Sequence, residues 1–212
     1  MKTFLFQGDS ITDANRDDEN QDNFGLGCGY AFLLAAEIEK NNKGKIKFIN
    51  RGKSGDRITD VYARVKEDII NLKPDYISIL IGVNDVSHEL TMNCGVSPKK
   101  FRMIYELLIE EIKEALPEIK IVIMEPFVVK GTATEKLWDK FSSEVRKLAE
   151  ISKQIAEKYA FYFVSLQDKF DELSADGDTR YWSVDGIHPT SAGHQVIKEE
   201  LQRIIVNYFD EL

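Results

Sequence analysis

The sequence is poor in cysteine, and its two cysteines are isolated. Its 212 residues contain only Cys28 and Cys94, and neither belongs to a Cys-x-x-Cys pair. Two isolated thiols do not make the disulfide framework of a small secreted domain. We therefore predict free thiols in a reducing compartment.

Basic residues and long apolar runs are also scarce. Lys and Arg number 28 against 36 Asp and Glu, which leaves a formal charge of −8 at pH 7. An acidic surface repels nucleic-acid phosphates and anionic lipid, so we predict neither a nucleic-acid nor a membrane partner. No stretch approaches the 18 or more apolar residues of a membrane span. The apolar run near the start is too short for a secretory signal, and we expect a cytoplasmic protein.

Short apolar runs alternate with longer segments of helical periodicity. The apolar runs cover residues 3–7, 46–50, 76–81, 119–124 and 161–165. The helical segments cover residues 30–40, 56–71, 98–116, 134–159 and 191–209, with Ser97 as a candidate N-cap. Nearly continuous apolar runs are typical of strands covered on both faces, and this alternation favours a parallel sheet. We predict one α/β domain over residues 1–212, a three-layer fold whose doubly wound five-stranded sheet has the order 2-1-3-4-5.

A candidate nucleophile follows the first predicted strand, within Gly-Asp-Ser-Ile-Thr at residues 8–12. A nucleophilic serine needs an exposed hydroxyl with backbone N–H groups nearby for the developing oxyanion. A strand-to-helix turn supplies both, which makes Ser10 the candidate. A serine in this position is also an ordinary helix cap, so this motif alone is a weak signal.

A candidate base lies near the C-terminus, within Asp-Gly-Ile-His-Pro at residues 185–189. A triad histidine must be oriented by a carboxylate, and Asp185 lies three residues before His188 on the same loop. The alternative is a solvent-exposed loop with an incidental histidine. His194 follows six residues later; this is not the i, i+4 spacing of a helical metal site, and we expect it on the helix surface or in packing.

Two more polar segments follow predicted strands. Asn84, within Gly-Val-Asn-Asp at residues 82–85, could donate its amide N–H to an oxyanion, and Asp85 could hold that loop by accepting backbone N–H bonds. Gly52, within residues 50–55, could present its backbone N–H to a ligand. An Asn-Asp turn and a simple loop glycine are the alternatives. His88 lies close to the Asn84 segment.

Taken together, the four segments resemble the blocks of the SGNH, or GDSL, hydrolases. The resemblance implies a flavodoxin-like fold and a Ser10–His188–Asp185 triad. It also implies an oxyanion hole made by the Ser10 N–H, the Gly52 N–H and the Asn84 side chain, with Asp9 and Asp85 in support. It implies neither a metal nor an organic cofactor.

Further stretches resemble a branch of bacterial intracellular acetyl-xylan esterases. They lie at residues 26–30, 50–55, 79–86 and 125–127. This resemblance implies deacetylation of short xylo-oligosaccharides by a homo-oligomer. The sequence departs from some relatives before the triad aspartate, where Val184 replaces an aromatic and Trp182 stands two residues earlier; the departure leaves the pocket shape open.

Aromatic and polar side chains near the motifs are candidates for the substrate-binding wall. Aromatic faces suit sugar rings, although local packing explains such residues equally well. The possible lining residues are Tyr30, His88, Phe127, Tyr181 and Trp182, and Phe24 is a further aromatic near the motifs.

Three other functions stay open at this point. The first is an esterase, thioesterase or lysophospholipase acting on longer acyl chains, which would need an apolar channel. The second is a non-catalytic binding domain. The third is a flavin or phosphate binder, although residues 8–12 lack the glycine pattern of a phosphate cradle. The favoured partner is a small-molecule or oligosaccharide ester.

Overall fold

Five parallel strands form one sheet in the order β2-β1-β3-β4-β5, which confirms the predicted order. The computed structural model describes residues 1–17, 19 and 25–208. The strands are β1 (Lys2–Gly8), β2 (Ile46–Asn50), β3 (Tyr76–Leu80), β4 (Lys120–Met124) and β5 (Tyr162–Val164). Because all strands run the same way, their carboxyl ends share one edge, where ligands bind in such sheets.

The apolar runs form strands because helices cover both faces of the sheet. Phe4, Leu5 and Phe6 of β1 are all without exposure, as is Ile77 of β3. The edge strand β2 instead keeps Lys47 in solvent. A charged side chain on an edge strand discourages pairing with another chain.

Helices flank the sheet in two layers. α2 and α10 pack against each other on one face, and α3, α6 and α7 pack in a row on the other. The helices are α1 (Ser10–Asp13), α2 (Tyr30–Asn41), α3 (Ile58–Ala63), α4 (Val65–Asp68), α5 (Val83–Met92), α6 (Pro98–Ala115), α7 (Trp138–Tyr159), α8 (Gln167–Leu173), α9 (Thr179–Trp182) and α10 (Ser191–Tyr208). Over the described ranges, none of these helices combines the length and the apolarity that crossing a membrane requires.

The helix predicted over residues 56–71 is broken in the structure. α3 and α4 are separated at Arg64, whose φ of −112° and ψ of 13° depart from helical values, and a 3₁₀ turn follows at Ile70–Leu72. Arg64 forms ion pairs with Asp56, before α3, and with Asp68, at the end of α4, so charged side chains connect the two sides of the break. The helical period alone did not indicate this interruption.

Aromatic packing joins β1 to the helix layer. The Phe6 ring meets Tyr30 of α2 edge-on, with centroids 5.8 Å apart, and stacks on Phe48 of β2 at 6.1 Å. Such pairs add to the stabilisation that burial of the rings provides. Buried aromatic rings of α2 and β2 therefore hold the strand that leads to the candidate nucleophile.

We expect Phe6→Ala to lower the free energy of unfolding by about 3–5 kcal/mol, because it removes a fully buried ring and leaves a cavity. Urea denaturation followed by circular dichroism measures the change. Phe32→Ala is the matched control, since Phe32 on α2 is 42% exposed. An equal loss in both variants would contradict the role of Phe6.

Candidate active site

Ser10 begins α1 directly after β1, and its neighbour Asp9 caps the helix. The Asp9 side chain accepts a hydrogen bond from the Ile11 N–H at 3.0 Å. The cap is therefore supplied by Asp9, and the Ser10 hydroxyl is left to bond elsewhere. Its Oγ lies 2.9 Å from Nε2 of His188.

Asp185 and His188 form a paired unit on the loop before α10. His188 Nδ1 lies 2.6 Å from Asp185 Oδ2, while Oδ1 accepts the N–H groups of His188 and Ile187 at 2.8 and 2.9 Å. Partial burial opposes ionisation of Asp185, but these three bonds outweigh it and hold the pKa of its carboxyl well below the ordinary range. The bond to Asp185 in turn raises the pKa of His188.

Ser183, which was not among the predicted site residues, stabilises this loop through side-chain hydrogen bonds. Its buried hydroxyl donates to the His188 carbonyl at 2.8 Å and accepts the Gly186 N–H at 3.0 Å. A single serine two residues before the Asp-Gly-Ile-His-Pro motif gives no periodic signal, so only its position three residues before a glycine hinted at a turn.

The loop over residues 125–134 forms backbone hydrogen bonds with the Asp185–His188 loop. The Val129 N–H donates to the Gly186 carbonyl, and the Ala133 N–H donates to the Asp185 carbonyl, both at 3.0 Å. This loop follows β4, at the carboxyl edge of the sheet. The aspartate is thus oriented by backbone on two sides.

Gly52 approaches the nucleophile turn closely. A Cβ at this position would lie 2.4 Å from the Asp13 nitrogen, so only glycine fits. Its N–H donates to the side chain of Asn50 at 2.9 Å. Asn50 itself is buried and donates to the carbonyls of Thr12 and Leu26, which ties the Gly52 loop to the nucleophile turn.

Asn84 lies in the first turn of α5, not in the loop that an Asn-Asp pair suggested. Its Nδ2 donates one hydrogen bond to the Asp56 carbonyl at 3.0 Å, and an amide nitrogen carries a second hydrogen. Asp85 accepts the Ile58 N–H at 3.2 Å with both oxygens. The backbone N–H bond expected for Asp85 is present, and it links α5 to the start of α3.

Asp9, next to the candidate nucleophile, is a fully buried acid with a strongly raised pKa. Burial raises its pKa to about 7, against the lowering effects of the Ile11 N–H bond and the charge of His188. The nearby charge of Asp56 also raises it. Asp9 therefore carries its proton well above the pH at which an exposed aspartate loses one.

A cavity of about 520 Å³ opens beside Ser10 and His188. Most of the side chains around it are polar. The lining residues are Ser10, Asp13, Ala14, Asn15, Cys28, Ser54, His188, Pro189, Ser191 and His194.

Two of the predicted lining residues are wrong. Tyr30 and Phe127 have no exposed surface and lie in the core. The Tyr30 hydroxyl is paired with Thr12 at 2.9 Å, and the Phe127 ring stacks on Phe170 with centroids 4.3 Å apart. Proximity to a motif in sequence did not reveal that both rings point inward.

The other aromatic candidates lie apart from this cavity. Tyr181 is 60% exposed and packs edge-on against Trp182, whose indole N–H donates to the Leu173 carbonyl. His88 is half-buried on α5 and does not line the cavity. Phe24 falls outside the described residues.

In the parts of the chain that the structure describes, no cluster of three or more His, Cys, Asp or Glu side chains could hold a metal.

Comparison with known proteins identifies the family of this chain. Residues 6–196 match the GDSL-like Lipase/Acylhydrolase family. The chain belongs to this family. It is therefore a carboxylic ester hydrolase of the GDSL type, and the resemblance inferred from the motifs is confirmed.

Individual relatives of this GDSL hydrolase cover nearly its whole length. An acetylxylan esterase from Geobacillus stearothermophilus is 32% identical over 206 residues, 95% of this chain and 92% of that protein. A crystal structure of that species' acetylxylan esterase aligns with a TM-score of 0.87 at 29% identity, covering 100% and 96% of the two chains. An α/β hydrolase from the Lake Arreo metagenome aligns with a TM-score of 0.84 at 26% identity, covering 95% and 94%.

Further structures of the Geobacillus enzyme are described as catalytic mutants. They carry alanine in place of a serine, an aspartate and a histidine respectively. Those residue types are the three that this GDSL hydrolase brings together at Ser10, Asp185 and His188.

We expect the imidazole of His188 to titrate above its ordinary pKa of 6.5 and that of His194 to titrate near 4. Asp185→Asn removes the carboxylate that favours the imidazolium, so the pKa of His188 should fall toward 6.5. NMR titration of the three histidine rings measures both values. Asp139→Asn, at an exposed site on α7, is the control and should leave them unchanged.

We expect Asp9→Asn to stabilise this GDSL hydrolase at pH 8. The folded state holds a proton on Asp9 that the unfolded chain, with an aspartate pKa of 3.8, has lost, so stability falls as pH rises from about 4 to about 7. Asparagine keeps the acceptor for Ile11 without this cost, and the gain is at most about 4 kcal/mol. Thermal unfolding at pH 4 and pH 8 measures it; a gain that is the same at both pH values would contradict the assignment.

Proposed function

We propose that this GDSL hydrolase is a serine esterase that removes acetyl groups from carbohydrate esters. The observation that carries the proposal is the continuous hydrogen-bond chain from Ser10 through His188 to Asp185, which opens onto a cavity lined mainly by polar residues. Each member has the neighbour that its role requires.

The proposed reaction is a two-step acyl transfer. His188 accepts the proton of the Ser10 hydroxyl as Oγ attacks the ester carbonyl, and Asp185 stabilises the imidazolium that forms. His188 then gives the proton to the departing alcohol, which leaves an acetylated serine. Water, deprotonated by His188, releases acetate and restores the enzyme.

Three N–H donors are proposed for the developing oxyanion. As the first residue of α1, Ser10 has an N–H without an acceptor inside the helix. The second amide hydrogen of Asn84 is another donor. The Gly52 N–H bonds Asn50 in this structure, so it contributes only by sharing its hydrogen with the oxyanion.

The alcohol portion of the substrate is proposed to be a sugar. The cavity beside the triad is several times larger than an acetyl group and is walled by hydroxyl, amide, carboxylate and imidazole groups. A longer acyl chain would need an apolar channel instead. The acetylxylan esterase from Geobacillus stearothermophilus, a relative over nearly the full length, supports the same substrate class. The cytoplasmic location and the homo-oligomer stay predictions.

We expect Ser10→Ala to reduce p-nitrophenyl acetate turnover by about 10⁴-fold or more, because no other group replaces the nucleophile. We also expect the wild type to hydrolyse acetylated xylo-oligosaccharides and to have little activity on p-nitrophenyl octanoate. Initial rates on the three substrates provide the test.

Ser143→Ala is the matched control, since the Ser143 hydroxyl is exposed on α7 and bonds only its own helix. Equal rates for the wild type and Ser10→Ala would remove Ser10 as the nucleophile. A preference for octanoate would keep the triad but reject the acetyl-carbohydrate substrate.

A further inference from the structure

His194 lies in the wall of the cavity that holds the candidate nucleophile. The spacing in the sequence suggested only a surface or packing role on α10. The structure instead places its ring beside Ser10 and His188, with Asn15 and Ser191 in the same wall. The proposed mechanism leaves this imidazole without a function.

Tyr30 contacts the imidazole of His194 through both its backbone and its ring. The Tyr30 N–H donates to Nδ1 at 3.3 Å, and the ring stacks on the Tyr30 ring with centroids 6.4 Å apart and an interplanar angle of 21°. Gly29 makes room for it, because a Cβ there would lie 2.9 Å from Cε1 of His194. The hydrogen bond and the ring contact from Tyr30, at the start of α2, thus fix the orientation of the ring.

These contacts also fix the tautomer. A neutral imidazole carries one proton, and because Nδ1 accepts the Tyr30 N–H, the proton must lie on Nε2. Burial, together with the charge of His188, lowers the pKa of His194 to about 4, so the ring stays neutral near pH 7. Within residues 1–17, 19 and 25–208, no protein group forms a hydrogen bond with Nε2.

The cavity lies on the side of the triad where the alcohol departs. His188 returns its proton to the leaving alcohol, so that part of the ester must lie against His188. His188, Pro189 and His194 all line the cavity, whereas Gly52 and Asn84, two of the three proposed oxyanion donors, do not. His194 therefore faces the alcohol and not the acyl group.

We propose that the Nε2–H of His194 donates a hydrogen bond to an oxygen of the sugar alcohol and so selects polyhydroxylated esters over apolar ones. The inference rests on the proposed function, because it assigns His194 to the alcohol side of that same reaction. It makes His194 a specificity-determining residue that takes no part in proton transfer.

Two substitutions separate substrate contact from packing. In His194→Asn, the shorter amide keeps an oxygen near the position of Nδ1 to accept the Tyr30 N–H but no longer reaches the cavity. In His194→Gln, the longer amide places an NH₂ near the position of Nε2 and loses the acceptor for Tyr30. The substrates are acetylated methyl xyloside and p-nitrophenyl acetate, whose aryl leaving group offers no hydroxyl.

We expect His194→Asn to lower kcat/KM for the acetylated xyloside by about 3- to 10-fold, mainly through KM, as loss of one neutral hydrogen bond predicts. Its kcat/KM for p-nitrophenyl acetate should stay within about twofold of wild type. His194→Gln should retain the ratio of the two specificity constants. An equal loss on both substrates in His194→Asn, or an unchanged xyloside rate, would overturn the proposal for His194.

The rates of the wild type on the two esters distinguish failure of the proposed function from failure of the His194 proposal alone. If the wild type hydrolyses neither ester, the serine esterase proposal fails and the His194 proposal fails with it. If the wild type hydrolyses p-nitrophenyl acetate but not the acetylated xyloside, the esterase stands, and both the sugar substrate and the role of His194 are rejected.

Discussion

The interior position of β1, paired with β2 on one side and β3 on the other, is the constraint on which the site depends. Parallel partners on both sides leave Phe4, Leu5 and Phe6 no exposure, and the strand ends at Gly8, directly before Asp9 and Ser10. β2 and β3 end on the same edge. Ser10, Gly52 and Asn84 are therefore brought to one rim by backbone pairing, and only His188 and Asp185 must be carried there by a separate loop.

The electrostatics of this rim sort its carboxyl groups into two kinds. Asp9, Asp56 and Asp85 are buried, and burial raises the pKa of each. Asp185 is also partly desolvated, but three N–H groups bond its oxygens and its pKa is lowered. The carboxyl most strongly held in its charged form is thus the one that contacts His188. Environments that push the pKa values of neighbouring acids apart are a common way for a site to assign different tasks to one residue type.

The fold was largely predictable because strands buried on both faces are continuous apolar runs, and those of β1 and β3 were found within a residue or two. The break at Arg64 was not predicted, since helical periodicity encodes neither the non-helical backbone of Arg64 nor its ion pairs with Asp56 and Asp68. The motifs identified Ser10, Asp185 and His188, which the structure brings together. They did not reveal Asn50 or Ser183, whose importance lies in backbone groups that fold next to them. The prediction that Tyr30 lines the substrate pocket was wrong, because its ring is buried in the core and packs against His194.

The bond between Ser10 and His188 joins positions separated by 178 residues. Ser10, the proposed nucleophile, begins the first short helix after the first strand, whereas His188, the proposed base, precedes the last helix. As the chain leaves the ribosome, Ser10 emerges early and His188 only after all five strands have been made. A growing chain therefore cannot hydrolyse esters by this route, however well its early elements pack. In refolding, the return of activity marks the docking of the last loop and not the formation of the sheet.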